Sequence, residues 1–388
     1  MPNQNALPHQ LSYWERTSFF SDIDIVIIGA GIVGLSAALR ARELAPNAKI
    51  LVLERGALPV GASTRNAGFA CFGSVSELMD DLQHQTEGQV WELVEQRWRG
   101  LQRLRQRLGD ERIGFEPWGG YELFRAEESA VYEQCAARIP HFNRQLKPIT
   151  GLSETYRPAH EEKAALGLAG VEYLIKNQAE GQLHTGEMVG ALLALAKSRG
   201  IALYTGLQVN ALHDTVQGVD VETAFGWAIR ARQVLVCTNG FARQLLPGMD
   251  VRPARNQVLI TEPVPGLKVR GSFHYDRGYF YFRNIDGRIL LGGGRNLDKA
   301  KELTSEFGTT PLIRSALLRL LKEVILPGQE VAADYWWSGI LGVGQRKRPV
   351  IRAVSGRIAA AVRLGGMGVA IGTLTGEEGA ELLLGKAP

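Results

Sequence analysis

The sequence contains little cysteine and has no strong excess of positive or negative charge. Its 388 residues include three cysteines, Cys71, Cys135 and Cys237, with no Cys-x-x-Cys pair. An odd and scattered set of this kind excludes a disulfide scaffold and argues against a zinc site, so we expect no bound metal. The formal net charge of +4 is spread along the chain, which argues against a nucleic-acid partner.

Long apolar runs are also missing. The longest run, from Ile25 to Leu39, is interrupted by glycines and is shorter than the roughly 20 residues that a membrane-spanning helix needs. The first 20 residues are polar and contain two prolines, unlike a signal peptide. The sequence therefore predicts a cytoplasmic protein without an integral membrane segment.

Glycine, by contrast, is abundant, with 45 residues against an average frequency of roughly 7%. The glycines cluster at 29–34, 292–294, 339–344 and 365–379 and follow no period, which excludes a collagen-like or linker sequence. In a chain of otherwise ordinary composition, such clusters indicate backbone that lies close against a ligand.

The stretch DIDIVIIGAGIVGLSAALRARELAPNAKILVLERG, residues 22–56, has the order of a dinucleotide-binding unit. The apolar run Ile25–Ile28 predicts a strand buried on both faces, and residues 32–44 predict a helix. A Gly-x-Gly-x-x-Gly motif that starts at Gly29 lies between them, and the next strand ends at Glu54. Because strand, glycine turn, helix, strand and acid occur in order, the motif has the context that dinucleotide binding requires.

Each part of this unit has a task in holding a dinucleotide. Gly29 permits the tight turn, Gly31 lets the backbone approach the pyrophosphate, and Gly34 lets helix and strand pack closely. The helix N-terminus favours the negative pyrophosphate, and Glu54 accepts hydrogen bonds from ribose hydroxyls. NAD and FAD both carry this ADP-ribose, so the unit alone leaves the two open. The predicted contacts are Gly29, Ala30, Gly31, Ile32, Val33, Gly34, Glu54 and Arg55.

The segment GASTRNAG, residues 61–68, resembles the second flavin-contacting segment of the FAD-dependent amine and amino-acid oxidoreductases, the D-amino-acid oxidase or glycine oxidase superfamily. The resemblance extends along almost the whole chain, through ARQVLVCTNGFA (231–242), GYFYFRNIDGRILLGGG (278–294) and RLGGMGVAIGTLTGEEGAELLLG (363–385). Within the superfamily the sequence is most similar to the gamma-glutamylputrescine oxidase-like branch.

The resemblance implies that FAD is the cofactor. Relatives that tether it covalently use a Cys near the C-terminal segment or a His near the first flavin segments. Here no Cys follows Cys237 and no His lies between His9 and His84, so non-covalent FAD is expected. Residues 375–378 fit a capping box that opens a final helix. The further implied FAD contacts are Ala62, Ser63, Thr64, Arg65, Asn66, Ala67, Gly68, Val209, Thr238, Gly240, Gly339, Gly366, Met367, Gly368, Val369, Gly372 and Thr373.

The sequence departs from the family pattern at three positions. Leu341 stands where several relatives carry an Arg that pairs with the substrate carboxylate, and Met367 replaces the His of a Gly-His-Gly box. Leu290 stands where monomeric sarcosine oxidases keep an oxygen-activating Lys, which leaves rapid reaction with oxygen open. The first departure argues against an ordinary α-amino acid as substrate unless another arginine supplies the charge; the candidates are Arg283, Arg255 and Arg65.

The implied reaction is hydride transfer from a carbon bearing an amine to flavin N5, which gives an imine that water hydrolyses. This chemistry needs positioning rather than a strong base, and the histidines of the sequence look isolated and structural. Alternation along GYFYFRN places Tyr279, Tyr281 and Arg283 on one face of a strand. We expect Tyr281, Arg283 and Trp337 to form the catalytic pocket, and expect Arg283→Ala to raise the substrate KM.

The predicted fold is α/β, with a discontinuous Rossmann-like FAD-binding domain and an α+β substrate domain on a mixed, largely antiparallel sheet. The FAD domain is expected to comprise residues 1–85, 165–250 and 335–388, and the substrate domain residues 86–164 and 251–334. Three hypotheses for function remain: an oxidase of amines or amino acids that uses oxygen, a dehydrogenase with another electron acceptor, and a non-catalytic FAD-binding assembly factor.

Overall fold

The computed structural model describes residues 10–385, so the first nine residues and the last three of the predicted FAD domain lie outside the described part. The strands are β1 Ile23–Ile28, β2 Ile50–Leu53, β3 Phe69–Ala70, β4 Gly120–Phe124, β5 Tyr156–Pro158, β6 Tyr173–Asn177, β7 Gly181–Gln182, β8 Ala202–Tyr204, β9 Val209–Thr215, β10 Gly218–Thr223, β11 Ala228–Val236, β12 Arg252–Thr261, β13 Ser272–Tyr275, β14 Phe280–Ile285, β15 Arg288–Gly293, β16 Ala333–Val343, β17 Val350–Ala353 and β18 Ile358–Val362. The helices are α1 Ile32–Leu44, α2 Val75–His84, α3 Glu87–Leu108, α4 Ser129–Thr150, α5 Lys163–Leu166, α6 Thr185–Ser198, α7 Lys299–Glu302, α8 Pro311–Leu320 and α9 Gly368–Leu383.

The first sheet carries the dinucleotide-binding unit. Its order is β17-β18-β11-β1-β2-β8, with β10 and β9 attached beside β11, and β1 runs parallel to both β2 and β11. Apolar clusters cover both faces of β1, with Ile25 and Ile27 on one side and Val26 and Ile28 on the other. A strand enclosed in this way has to be apolar at every position, which is the pattern that the sequence shows.

Helix α9 packs tightly against α1, and its glycines make this contact possible. A Cβ at Gly376 would lie 2.3 Å from the carbonyl oxygen of Val33. The prediction that the final helix opens at residue 375 is wrong: α9 begins at Gly368, and the Thr375 hydroxyl donates a 3.0 Å bond to the carbonyl of Ile371 inside the helix. The glycines after residue 371 therefore lie inside α9 and serve helix packing. They do not precede the start of the helix.

The second sheet has the order β16-β12-β15-β14-β13-β4-β6-β5 and is antiparallel except between β13 and β4. The predicted mixed, largely antiparallel sheet is confirmed. Stacked aromatic rings fill the core behind it, with Phe273 and Phe282 centroids 4.6 Å apart and Phe273 and Tyr121 centroids 4.8 Å apart. Side chains on the opposite face of this sheet, among them Asn256 and Tyr281, line a cavity shared with residues 62–71.

The two sheets divide the chain differently from the predicted domains. Strand β16 pairs with β12 from Arg252 opposite Val343 to Thr261 opposite Ala333, so residues 335–343 belong to the second sheet. Strand β6 also joins that sheet, whereas α3 packs on α9 of the first unit. Strand pairing distant in sequence decides this division, and local composition does not record it. Within residues 10–385, no helix is both long enough and apolar enough to cross a membrane.

Candidate active site

The glycine motif closes the turn between β1 and α1 by close backbone contacts. Gly29 adopts a φ of +106°, in the region that favours glycine, and a Cβ at Gly34 would lie 1.9 Å from the Gly29 carbonyl oxygen. The Glu54 carboxylate is buried and accepts hydrogen bonds from the amides of Ala30 and Gly56, each at 3.0 Å. Glu54 therefore braces the glycine turn as well as facing the cavity beside it.

The segment GASTRNAG folds against the start of α1. The Ser63 hydroxyl accepts the Ile32 amide at 2.9 Å. The Asn66 side chain donates to the carbonyls of Ala62 and Ser63 and accepts the Gly68 amide at 2.8 Å, while Arg65 donates to the Ser338 carbonyl. These bonds hold the loop in one shape, so its polar side chains have structural partners of their own.

Two cavities meet along this loop. The cofactor cavity runs from the glycine turn past β9 and the end of β11, and the substrate cavity, of about 490 Å³, lies between the loop and the second sheet. The residues that line both cavities are Ala62, Asn66, Leu341, Gly366 and Val369. A ligand that fills the cofactor cavity therefore extends to the edge of the substrate cavity.

Most of the predicted cofactor contacts line these cavities. Those in the cofactor cavity are Gly29, Gly31, Ile32, Val33, Glu54, Arg55, Ala62, Ser63, Asn66, Val209, Thr238, Gly366, Gly368 and Val369. Those that line only the substrate cavity are Arg65, Ala67, Gly339 and Met367. The structure, over its described residues, places the others outside both walls: Ala30, Gly34, Thr64, Gly68, Gly240, Gly372 and Thr373.

The residues outside the walls shape the backbone instead. A Cβ at Gly240 would lie 2.5 Å from the Leu341 carbonyl oxygen, and one at Gly372 would lie 2.9 Å from Cγ2 of Ile32. Both glycines therefore allow two segments to approach each other. The sequence indicates that glycine is needed at such positions. It does not show whether a ligand or a neighbouring segment of the protein lies close to the glycine.

The cofactor cavity fits FAD on the chemistry of its walls. Helices α1 and α9 both direct their N-termini at it, and neither N-cap residue, Gly31 or Met367, supplies a side-chain cap. Although Ser63 accepts the Ile32 amide at the start of α1, the positive end of each helix dipole favours an anion, which suits the pyrophosphate at one helix and the electron-rich pyrimidine edge of the flavin at the other. The buried Thr238 hydroxyl, which has no hydrogen-bond partner among residues 10–385, offers a further polar contact.

Aromatic side chains line one part of the substrate cavity, around Tyr281, and the ionisable Glu77 and Arg97 line it as well. The Tyr281 ring meets the Phe69 ring at 5.6 Å, and its hydroxyl accepts a hydrogen bond from the Asn256 amide at 3.3 Å. Burial raises the pKa of Tyr281 to about 12, so this phenol stays neutral at physiological pH. Cys71 also lines the cavity, and burial raises the pKa of its thiol well above the ordinary value, as suits a neutral apolar group.

Three cations also line the substrate cavity, together with the carboxylates of Glu77, Asp80 and Asp81. Arg295 and Lys299 flank the Tyr279 ring, 5.3 and 5.1 Å from its centre, and Arg277 lies on the preceding turn. None of the three cations has a carboxylate within ion-pair distance in the described part of the chain. By contrast, Lys347 on the same cavity pairs with Asp81.

Two of the three arginines proposed from the sequence to replace the missing carboxylate ligand are occupied elsewhere, whereas the third, Arg65, lines the substrate cavity. Arg255 pairs with Glu302 through two bonds of 2.8 and 2.9 Å. Arg283 is 2% exposed and donates to the carbonyls of Gly68 and Leu183, so its charge faces the loop rather than the cavity. The third candidate, Arg65, donates to backbone carbonyls, as described above for the loop.

Tyr281 is placed as expected, but Trp337 and Arg283 are not among the residues that line either cavity in the described chain. The Trp337 indole donates a 3.1 Å bond to the carbonyl of Arg65, and its ring joins a small apolar cluster with Ala67 and Leu290. Trp337 thus supports the loop from behind, and a role for it in contacting substrate stays a prediction.

One group beside the substrate cavity was missed. His274, which looked isolated in the sequence, is buried on β13 between Glu77 and Glu180, with Glu122 opposite it on β4. These residues come from four separate parts of the chain. No local spacing connects them, and only the pairing of β13 with β4 could have indicated the cluster.

A dinucleotide cavity that opens directly into a chamber for a small polar molecule is the arrangement of an FAD-dependent oxidoreductase. A family model described as DAO, FAD dependent oxidoreductase, matches residues 24–382, and the chain belongs to this family. FAD is therefore its cofactor, and the protein is a flavoprotein enzyme of the oxidoreductase class.

Comparisons with individual proteins agree with this membership. The sequence is 24% identical over 386 residues to the probable oxidoreductase OrdL of Haemophilus influenzae, covering 93% of this chain and 83% of the relative. Among solved structures, L-proline dehydrogenase from P. horikoshii gives a TM-score of 0.75 at 18% identity, covering 95% and 94% of the two chains. Glycine oxidase from Geobacillus kaustophilus also gives 0.75, at 20% identity, covering 94% and 95%. Because these structures are at most 20% identical in sequence, their similarity establishes the fold alone.

Proposed function

We propose that the protein oxidises the C–N bond of an amine or amino acid that carries an anionic group remote from the reacting carbon. The observation that carries this proposal is the charge layout of the substrate cavity. Aromatic side chains line it around Tyr281, and Arg277, Arg295 and Lys299 add three cations that have no carboxylate within ion-pair distance in residues 10–385. The similarity to glycine oxidase and to an iminodiacetate oxidase structure supports an amine-bearing substrate.

The chain would hold the cofactor through the glycine turn, Glu54 and the GASTRNAG loop, with the ring edge at Gly366–Gly368. Bound there, FAD supplies a hydride acceptor at its N5 atom. The remaining work of the protein is positioning. Tyr281 and Asn256 line the inner cavity and offer a hydroxyl and an unpartnered buried amide oxygen to an amine. Holding the reacting carbon and amine in place supplies much of the rate enhancement of such a reaction.

Apolar side chains pack against the GASTRNAG loop on the side opposite the substrate cavity. Leu290 is 6% exposed and packs with Ala67 and Val258, so no cation lies at the position where an oxygen-activating Lys is found in some relatives. This observation favours a dehydrogenase with a carrier other than oxygen as the second candidate. The yield of hydrogen peroxide per substrate oxidised in air distinguishes this dehydrogenase from an oxidase that passes its electrons to oxygen.

The test of the proposed function is anaerobic reduction of the bound flavin by a panel of amines. We expect loss of the visible absorbance of the oxidised flavin to be fastest with amines whose carboxylate lies several bonds from the amine. The matched set pairs each such compound with its amide or its shortened α-amino-acid counterpart. If no member of the panel reduces the flavin, a non-catalytic role takes the place of this proposal.

We expect Arg295→Met to raise the KM for the best carboxylate-bearing amine about 10-fold and to leave kcat within a factor of two. A partly exposed charged contact contributes about 1.4 kcal/mol, which corresponds to one power of ten. Because this contact is made equally to the substrate and to the transition state, its loss affects KM rather than kcat. Steady-state kinetics on protein saturated with FAD measures both constants.

The matched control for this change is Arg314→Met. Arg314 also lies over an aromatic ring, 4.4 Å from the centre of Trp336, but it is exposed on α8 and is not among the cavity residues of the described chain. Its replacement should leave KM unchanged. Equal KM values for the Arg295 variant and this control would remove the cationic side of the cavity from substrate binding.

A further inference from the structure

His274 lies at the wall that separates the substrate cavity from a group of buried glutamates. Its Nδ1 atom is 4.0 Å from Oε2 of Glu77, which lines the substrate cavity with it. Its Nε2 atom is 4.0 Å from Oε2 of Glu180, which does not line the substrate cavity in the described part of the chain. The two ring nitrogens therefore face two different carboxylates, one in contact with the cavity and one behind it.

A cavity of about 10 Å³ lies behind the ring and is lined by His274, Glu180, Glu122 and Asn177. This is close to the smallest space that holds one water molecule. His274 Nε2 and Asn177 Nδ2 are both buried and have no hydrogen-bond partner within residues 10–385. Two unpartnered polar atoms and two carboxylates around a space of this size give a water the partners it needs.

The glutamates behind His274 are fixed in place. Glu180 is 2% exposed, and its Oε1 accepts the amides of Phe72 and Gly73 at 3.0 and 3.2 Å. Glu122 is 4% exposed and accepts the Ser74 hydroxyl and the Ser76 amide. These bonds leave Oε2 of Glu180 directed at His274 and at the small cavity.

Burial sets the protonation of these groups. It raises the pKa of Glu180 to about 8 and that of Glu122 to about 7, with Glu77 adding to both shifts. Burial also lowers the pKa of His274, although Glu77 opposes the shift, so the imidazole is neutral at physiological pH. A neutral ring with its proton on Nε2 has a free lone pair on Nδ1, the side of the substrate cavity.

We propose that His274 and Glu180 form a proton relay that removes the ammonium proton of the substrate before hydride transfer. His274 is the catalytic acceptor, since it lines the substrate cavity, and Glu180 acts through it. The inference rests on the proposed function, because only an amine substrate has this proton to lose. If the protein only positioned its substrate, the amine would remain protonated and its lone pair would be unavailable for the oxidation.

The step balances as a proton transfer without change of oxidation state. One N–H bond of the substrate ammonium breaks and an N–H bond forms at Nδ1 of His274, directly or through one water. The Nε2–H bond of His274 then breaks and an O–H bond forms on Oε2 of ionised Glu180, through a water in the small cavity that bridges the 4.0 Å between the two atoms. The neutral amine keeps its lone pair for the oxidation, and Glu180 later returns the proton to water.

The relay has a characteristic pH dependence. Glu180 accepts a proton only when it is ionised, so the rate of anaerobic flavin reduction should rise as the pH passes about 8. The groups that face the relay are Glu77 on α2, Arg97 on α3, Glu122 on β4, Tyr156 on β5, Cys71 on the loop after β3 and Lys347 beside α2. Among these, Glu122 is the carboxylate that both shares the small cavity and raises the pKa of Glu180.

The first experiment compares the pH profiles of Glu180→Gln and Glu122→Gln with that of the wild type, as anaerobic flavin reduction by the best amine of the panel. Glutamine at 180 keeps the acceptor for Phe72 and Gly73, so a purely structural role would leave the profile unchanged. We expect Glu180→Gln to lose the limb near pH 8 and to be about 10- to 100-fold slower at pH 9, the range of a lost general base. His274→Gln should lose the same limb.

For Glu122→Gln we expect a different change in the same limb of the pH profile. Because the negative charge of Glu122 raises the pKa of Glu180, its removal should keep the limb and move it to lower pH. Profiles of the Glu180 and His274 variants that superimpose on the wild type would overturn the relay. So would a Glu122 variant that lacks the limb while Glu180→Gln retains it.

A second experiment needs neither a substrate nor a variant that folds. In the wild-type holoprotein, labelled with 13C-glutamate, infrared difference spectra over pH 6 to 9 should show a buried carboxylic-acid band lost around pH 8. The absence of any glutamic-acid band that titrates in this range would overturn the relay. If the band titrates but no amine reduces the flavin, the proposed function fails and with it the use of this acid as a relay, which separates the two failures.

Discussion

Gly34→Ala is expected to abolish FAD binding and to destabilise the folded protein by about 3 kcal/mol. The added methyl group would lie 1.9 Å from the Gly29 carbonyl oxygen and 3.1 Å from the Gly29 carbonyl carbon. Both atoms are backbone of the turn that supports the cofactor, so no flexible side chain can yield. To accept the methyl group, α1 has to move away from the end of β1, and the pyrophosphate end of the cofactor cavity opens with it.

The matched control is Gly190→Ala, the same substitution inside helix α6. A Cβ there meets no atom within 4 Å, and the position is exposed. Alanine at such a site favours the helix by roughly 0.5–1 kcal/mol, so the two substitutions should have opposite signs. Thermal unfolding and the flavin absorbance per mole of purified protein measure the effects. A Gly34 variant that is yellow and as stable as the control would refute the close contact.

The dinucleotide unit could be predicted from sequence because its determinants are local. Strand, turn, helix and acid lie within residues 22–56, where a Cβ at Gly34 would meet the Gly29 carbonyl and Glu54 accepts the Ala30 amide. The GASTRNAG loop is partly local, since Asn66 donates to carbonyls no more than four positions away, and it is also held by the distant residues Ile32 and Ser338. Short-range geometry of this kind leaves its mark in the order of the residues.

The substrate side depends on contacts between distant segments, which sequence order does not record. Alternation along β14 placed Tyr281 and Arg283 on one face correctly, but it could not show that the GASTRNAG loop covers the Arg283 end of that face. The His274 cluster is the extreme case: Glu77, Glu122 and Glu180 reach it from three other segments. Such a cluster exists only once the second sheet is assembled.

Arg283→Met is expected to lower the stability of the protein by about 3 kcal/mol and to weaken FAD retention, without the specific rise in KM that the sequence suggested. The guanidinium donates to the carbonyls of Gly68 and Leu183 at 3.1 and 2.8 Å, in a site from which water is excluded. Burial lowers the pKa of Arg283 to about 10, so the group remains charged at physiological pH. Methionine fills a similar volume but removes the donor to the Leu183 carbonyl and one of the two donors to the Gly68 carbonyl, and a buried carbonyl left without a partner costs about 1–3 kcal/mol.

The matched control is Arg288→Met on the neighbouring strand β15. Arg288 also donates to a backbone carbonyl, that of Thr261 at 2.8 Å, but its side chain is 26% exposed. Water can replace the lost donor there, so the change should be below about 1 kcal/mol. Thermal unfolding and the rate of flavin release on dilution measure the two variants. An Arg283 variant of normal stability with a raised KM would return this residue to the substrate site, whereas early flavin loss at normal KM would show that its charge acts beneath the loop, where it holds the Gly68 carbonyl.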